Sequence, residues 1–200
     1  MRKILGVLLT ALIAVSSIAF ADEWKDLINE AYKQMPSKSK RKTRSGRRIL
    51  QEKVNRIQDI DRRIPQLIRG GDYSRAEDLL KESLSLTIEY YGGMNHIHVA
   101  ERFLSLGIVY MEAGNPQKAE EAFTWCLNIG EKILGKGSYQ LSNVYKFLAI
   151  AYYEQDKYTR AAEMADFLLS IYVSKFGPNS AQAEEAKALL KTIYQAQGKR

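Results

Sequence analysis

The sequence predicts an all-α fold, a solenoid of antiparallel helix pairs, and two observations carry that expectation. The first is an internal repeat. Gly71-Asp72-Tyr73-Ser74-Arg75-Ala76-Glu77, Gly114-Asn115-Pro116-Gln117-Lys118-Ala119-Glu120 and Asp156-Lys157-Tyr158-Thr159-Arg160-Ala161-Ala162 align at steps of 43 and 42 residues, and Gly198 stands 42 further on. Gly93, Gly135 and Gly177 form a second series, each 42 residues from the next. A fixed period of this length is the mark of stacked supersecondary units. The second observation is spacing. Between the markers, apolar residues recur at three and four, as on one face of a helix, and not at two as in a strand.

Each unit therefore reads as a helix, a tight turn, a second helix and a glycine-marked loop. Phe103, Leu106, Gly107 and Tyr110 precede the Gly114 turn, and Phe147, Leu148, Ala149, Ala151 and Tyr152 precede Asp156. Ala76, Leu79, Leu80 and Ser83, then Ala119, Ala122, Phe123 and Cys126, then Ala161, Met164, Ala165 and Leu168 follow the three turns. A last helix is expected from Ala181 to Gln197. It has no partner helix after it, and Lys191 holds the place of Gly107 and Ala149, which suits a C-terminal cap.

The chain ahead of the repeats has three parts. Met1 to Ala21 reads as a secretory signal peptide: Arg2 and Lys3, an apolar run from Ile4 to Ile18, then the small-residue site Ala19-Phe20-Ala21. Export to the periplasm or the exterior, with cleavage after Ala21, is the expectation. Residues 22–48 then hold an amphipathic helix and a basic linker. Trp24, Leu27, Ile28, Ala31 and Met35 make one helical stripe, read first as a cap on the repeats and second as a docking element. Pro36 to Gly46 reads as a flexible linker. A further helix is expected from about Arg47 to Arg63, broken or restarted at Pro65, within a repeat domain of residues 49–200.

Charge is concentrated in the linker. The 200-residue chain has 30 Lys and Arg against 23 Asp and Glu. Without Arg2 and Lys3 the balance is +5, and without Lys38, Lys40, Arg41, Lys42, Arg44, Arg47 and Arg48 as well it is −2. A local basic run on a near-neutral body does not make the basic face of a nucleic-acid-binding fold. A single cysteine, Cys126, excludes a disulfide scaffold and a cysteine-based zinc site. Cys126 falls where the repeat wants a small buried residue and is expected to be a packed thiol.

Leu106-Gly107 with Tyr110, followed by Ala119, Phe123 and Cys126, resembles the tetratricopeptide repeat, and Leu148-Ala149, Tyr152 and Ala161 repeat the match. The period is longer than that family's usual 34. With loops such as Gly93-Met94-Asn95-His96 and Gly177-Pro178-Asn179-Ser180, the units are similar to the kinesin-light-chain type. The resemblance implies a right-handed superhelical solenoid of about three units plus the capping helix. It also implies a concave groove, lined by the first helix of each unit, that holds a peptide or helix of a protein partner.

No nucleophile elbow, phosphate loop, zinc motif or dinucleotide fingerprint occurs. His96 and His98 lie two apart and would point to different sides of a helix. Glu120-Glu121 and Glu184-Glu185 read as solvated helix faces. No catalytic residue, metal or cofactor is expected. Carried over from the resemblance, the groove would be lined by Glu101, Ser105, Ile108 and Met111, then by Asn143, Lys146, Phe147, Ile150 and Tyr153, with Glu185 and Thr192 from the last helix. Ile108, Met111, Ile150 and Tyr153 would form an exposed apolar row, and Asn143 and Lys146 would hold a backbone or a carboxylate. The expected function is a non-catalytic adaptor in the cell envelope that binds a protein partner and no nucleic acid. The alternative is a tether, in which Lys38 to Arg48 contact an anionic membrane or envelope polymer.

Overall fold

A computed structural model of the protein describes residues 24, 26–37, 40, 41 and 43–198. The expected signal peptide, Lys38 and Lys42 lie outside the described residues. Helix α1 covers residues 26–34, with Trp24 at its head. There follow α2 (Arg44–Arg69), α3 (Tyr73–Tyr91), α4 (Ile97–Glu112), α5 (Pro116–Leu134), a short 3₁₀ turn (Tyr139–Leu141), α6 (Ser142–Tyr153), α7 (Tyr158–Phe176) and α8 (Ala181–Gln197). From α2 onward each helix packs chiefly against its neighbours in the chain. The result is an all-α solenoid in which α2–α3, α4–α5 and α6–α7 are the three units and α8 closes the row.

The repeated turn has a local cause. Gly71 and Gly114 adopt φ of 73° and 70°, and Asp156 stands at the same place with φ 60°. This left-handed region is open to Gly and tolerated by Asp. The next helix is then capped: the Asp72 side chain accepts from the Arg75 N–H at 3.2 Å, and Asn115 accepts from the Lys118 N–H at 3.1 Å. Pro116 occupies the first turn of α5, where its missing N–H costs nothing. At the opposite ends α3, α5 and α7 stop at Gly92, Gly135 and Gly177. In the first unit the stop is thus Gly92, one residue ahead of the series glycine.

The core is one main cluster along the stack, with a second, smaller one around Ala149, Ala161 and Ile193. Ile60, Leu80, Leu84, Phe103, Leu106, Tyr110, Phe123, Tyr145, Leu148 and Leu168 are all buried. At Gly107 helices α4 and α5 touch most closely: a Cβ built there would overlap the ring of Phe123. Cys126 is buried, as a packed thiol should be, and burial pushes its pKa up to about 12.

Three expectations for the front end need correction. Helix α2 is continuous through Pro65 to Arg69. A proline inside a helix costs about 3 kcal/mol, but Pro65 is exposed and close to the helix end, while Ile60 and Ile64 on the opposite face are buried. Their packing outweighs the lost bond. Helix α2 also starts at Arg44, not Arg47, so Arg44, Arg47 and Arg48 stand on a helix and not on a linker. Thr43 caps it, accepting from the Gly46 N–H at 2.9 Å. Gly46 is itself buried, and a Cβ there would overlap the Lys40 carbonyl, so the chain folds back tightly at this point.

The third correction concerns Arg41. Its guanidinium donates to the carbonyls of Glu89 at 2.7 Å and Tyr90 at 2.9 Å, and to Pro36 at 3.1 Å. The last carbonyls of a helix lack partners within it and carry the negative end of its dipole. Arg41 therefore caps α3 and is not a free cation for an outside surface. It also anchors α1. Trp24 is fully buried, with its ring 5.3 Å from Phe103 of α4 and the Lys81 ammonium of α3 5.8 Å from its centre. Ala31 is buried, Leu27, Ile28 and Met35 rest on the same core, and the Tyr32 hydroxyl accepts from the Met94 N–H at 3.3 Å. The Trp24 stripe is a cap laid against α3 and α4.

Two outcomes are expected. Gly107→Leu should lower stability by about 1–3 kcal/mol through overpacking, read as a drop in thermal midpoint, and Phe123→Leu should recover part of the loss. Trp24→Ala should cost about 3 kcal/mol. Hydrogen exchange should also show faster exchange at the Met94 amide, and unchanged exchange there would mean that α1 docks without its tryptophan.

Candidate functional site

The first helices of the second and third units, α4 and α6, present matching rows. Ile108 and Ile150 are 42 residues apart, as are Met111 and Tyr153. All four are half-buried, so the expected exposed row is partly sunk. Ile108 and Met111 rest on the main core, and Tyr153 packs on the smaller cluster around Ala161 and Ile193, its ring 5.8 Å from Tyr158. Neighbouring helices in a stack stand close enough to cover the flanks of such side chains, leaving only their tips.

The polar candidates divide. Asn143 is exposed. The Ser105 hydroxyl donates to the Glu101 carbonyl at 3.0 Å, and the Thr192 hydroxyl to Ala188 at 3.0 Å, both back-bonds within their own helices. Phe147 is taken up by stacking on Phe123 at 5.4 Å. Lys146 is paired with Glu185 of α8, so the structure joins those two candidates to each other and leaves neither as a free charge. Arg102 of α4 pairs in the same way with Asp61 of α2. The row of first helices is thus cross-tied at both ends, with the apolar tips of Ile108, Met111, Ile150 and Tyr153 between the ties.

The histidines also depart from expectation. His96 is not in the helix but caps it, its Nδ1 accepting from the His98 N–H at 3.3 Å. The two rings converge, 5.2 Å apart, with His96 stacked on Tyr91 at 3.6 Å. Burial and the neighbouring His98 lower the His96 pKa. The His98 ring meets the Glu101 carboxylate at 2.6 Å. Among the described residues no three His, Cys, Asp or Glu side chains come together as a metal site.

One constellation was not foreseen. Glu77 accepts from the Tyr110 hydroxyl at 3.0 Å and pairs with Lys118 at 3.3 Å and Lys81 at 2.8 Å. Burial alone would raise its pKa, but these partners outweigh it and hold the carboxyl below its usual range. One unit on, Glu120 pairs with Lys157 at 2.7 Å and Arg160 at 3.9 Å, accepts from Gln155 at 2.9 Å and borders Tyr152. The signal was in the sequence: Tyr110 and Tyr152, Glu77 and Glu120, and Lys118 and Arg160 recur at 42 or 43 residues. These nodes join successive units and are structural. They also correct the reading of Glu120-Glu121 as a solvated doublet. Burial and the adjacent Glu120 raise the Glu121 pKa to about 7. Glu184 and Glu185 are exposed, as expected.

Sequence reasoning also missed a small hollow of about 180 Å³ where α2, α3 and α4 meet, lined by Val54, Ile57, Tyr90, Tyr91, His98 and Arg102. It is large enough for about one side chain. No helix among the described residues is long and apolar enough to cross a membrane.

With two successive helix pairs, their turns and their joining nodes in view, comparison with known proteins is direct. Residues 99–172 match the tetratricopeptide repeat family. That stretch is the second unit and most of the third. Folds of this family are generally protein–protein interaction scaffolds, typically without catalysis, whose curvature makes extended binding surfaces. Among solved structures, the chain is similar to BtubC (BKLC) from P. vanneervenii, with a TM-score of 0.59 and 19 % identity over 76 % of this chain. It is also similar to the nearly identical TPR-like repeats of a protein described as a kinesin light chain from Podosopora anserina, with a TM-score of 0.62 and 19 % identity over 72 % of this chain. The chain spans 66 % of the first, just under two thirds, and 67 % of the second. At this identity the likeness carries the fold alone. No curated protein sequence matches the chain.

The Glu121 carboxyl gives a pH test. Its folded pKa, about 7, lies above the unfolded value, so the folded state binds the extra proton and loses stability as pH rises from about 4.5 to 7. Glu121→Gln is expected to raise the thermal midpoint at pH 8 and leave it nearly unchanged at pH 5.

Proposed function

We propose that the protein is a non-catalytic adaptor of the cell envelope. It is exported by the leader at residues 1–21 and holds a segment of a protein partner along α4 and α6. The observation that supports this reading is the repeated pair of apolar tips, Ile108 with Met111 and Ile150 with Tyr153, set one period apart on parallel helices. A partner segment laid across both helices would meet the same two anchors twice. Asn143 is the exposed polar group beside them. The ends of the row are neutralised by Arg102–Asp61 and Lys146–Glu185, so binding rests on apolar contact more than on charge, and salt should weaken it little.

The test is capture of a partner from an envelope extract at low and high salt, with Ile150→Ala/Tyr153→Ala alongside. The expected result is a partner kept at high salt and lost, by tenfold or more in apparent affinity, with the double substitution; each anchor in a desolvated site typically contributes more than about 1 kcal/mol. A partner released by salt and indifferent to the double substitution would overturn the reading.

A further inference from the structure

Antiparallel helix pairs bring the ends of α3, α5 and α7 and the starts of α2, α4, α6 and α8 to one edge of the solenoid. Among the described residues, the large apolar side chains more than a third exposed are Tyr32, Tyr91, Ile133, Tyr139, Phe176 and Tyr194. All but Tyr194 lie at this edge. Tyr91 and Phe176 end their helices, Ile133 stands one residue before the end of α5, Tyr139 opens the turn before α6, and Tyr32 reaches the loop at Met94. Ile133, Tyr139 and Phe176, each 41 % exposed, form the far half of the strip.

The charges there include three lysines without an ion pair. Lys132, Lys136 and Lys175 are exposed and have no ion pair among the described residues; Lys136 lies over the Phe167 ring at 5.7 Å and Lys175 over Tyr139 at 5.7 Å. Arg44, Arg47 and Arg48 begin α2 at the same edge, Arg48 paired with Glu52 at 3.0 Å. The three loops 92–96, 135–138 and 177–180 contain no acid. Of the carboxylates near them, Glu89 is paired with Lys53 at 2.5 Å, Glu184 with Lys187 at 2.8 Å and Glu101 with the His98 ring at 2.6 Å, while Glu131 accepts from the Tyr145 hydroxyl at 2.5 Å and keeps its charge. The edge therefore presents protruding apolar and aromatic tips beside Lys132, Lys136 and Lys175, three lysines with no ion pair among the described residues.

We propose that this loop edge docks onto the surface of a bilayer that contains anionic phospholipid, with Ile133, Tyr139 and Phe176 entering the headgroup layer and Lys132, Lys136 and Lys175 meeting lipid phosphates. Aromatic and aliphatic tips beside basic residues are the composition that favours a membrane interface. A carbohydrate polymer is a poorer match, because Tyr139 and Phe176 stand at 84° and offer no common flat platform, and Ile133 offers none. The surface is separate from the α4–α6 groove, so the protein would hold its partner while lying on the membrane.

The test is co-sedimentation of the exported form (residue 22 onward, as the proposed leader would leave it) with phosphatidylcholine vesicles, with and without phosphatidylglycerol. Thermal melts verify the fold of each variant. The expected result is binding only to the anionic vesicles. Lys132→Gln/Lys136→Gln/Lys175→Gln should weaken it by about a hundredfold, since each cation near an anionic surface contributes about a factor of five. Ile133→Ser/Tyr139→Ser/Phe176→Ser should weaken it about tenfold or more, while Ile150→Ala/Tyr153→Ala binds vesicles as the parent does. Absence of binding to anionic vesicles would overturn the proposal. So would equal binding to both vesicle types. Normal binding by both edge variants, with loss only in Arg44→Glu/Arg47→Glu/Arg48→Glu, would overturn it too and leave a basic tether.

Discussion

Each helix from α2 onward has little but its chain neighbours against which to bury an apolar face, and the rest of the structure follows from that constraint. A single pair cannot enclose a core, so the units must share one. The shared contact has to be close, which is why Gly107 faces the Phe123 ring with no room for a side chain. The joints must also tolerate charge, because the turn ends of the helices are half-wet. The Tyr110–Glu77–Lys118 node and its counterpart around Glu120 meet that need with polar groups that satisfy one another across the joint.

The period made most of this legible in the sequence. The turns at Gly71, Gly114 and Asp156, the cap at α8 and the Trp24 stripe were all readable from spacing, because backbone sterics and amphipathic periodicity act locally. What spacing does not report is which tertiary contact outweighs a local preference. Pro65 signals a break, yet the buried Ile60 and Ile64 hold α2 straight through it. A run of cations looks uniform, yet Arg41 reaches the end of α3, a fact of folding back at Gly46 and not of composition.

The candidate groove was legible to a lesser degree. The register of Ile108 with Ile150 and of Met111 with Tyr153 follows from the repeat. How far each side chain sinks depends on neighbours that no one-dimensional pattern specifies, and so does the pairing of Lys146 with Glu185. The histidines show the same limit in miniature. Helical spacing sends His96 and His98 apart, but His96 is a cap residue with extended backbone, and that one change of conformation brings both rings onto Tyr91.

The placement of the two tryptophans has an optical consequence. Trp24 lies 5.3 Å from Phe103 on one side and Trp125 lies 5.6 Å from it on another. All the indole in the chain is therefore gathered around one ring at the junction of α1, α4 and α5. Tryptophan emission, excited where tyrosine does not absorb, reports the docking of the N-terminal helix and the integrity of the second unit, because the third unit and α8 carry no indole. A melt followed by tryptophan fluorescence would watch one end of the molecule, and one followed by circular dichroism all of its helices.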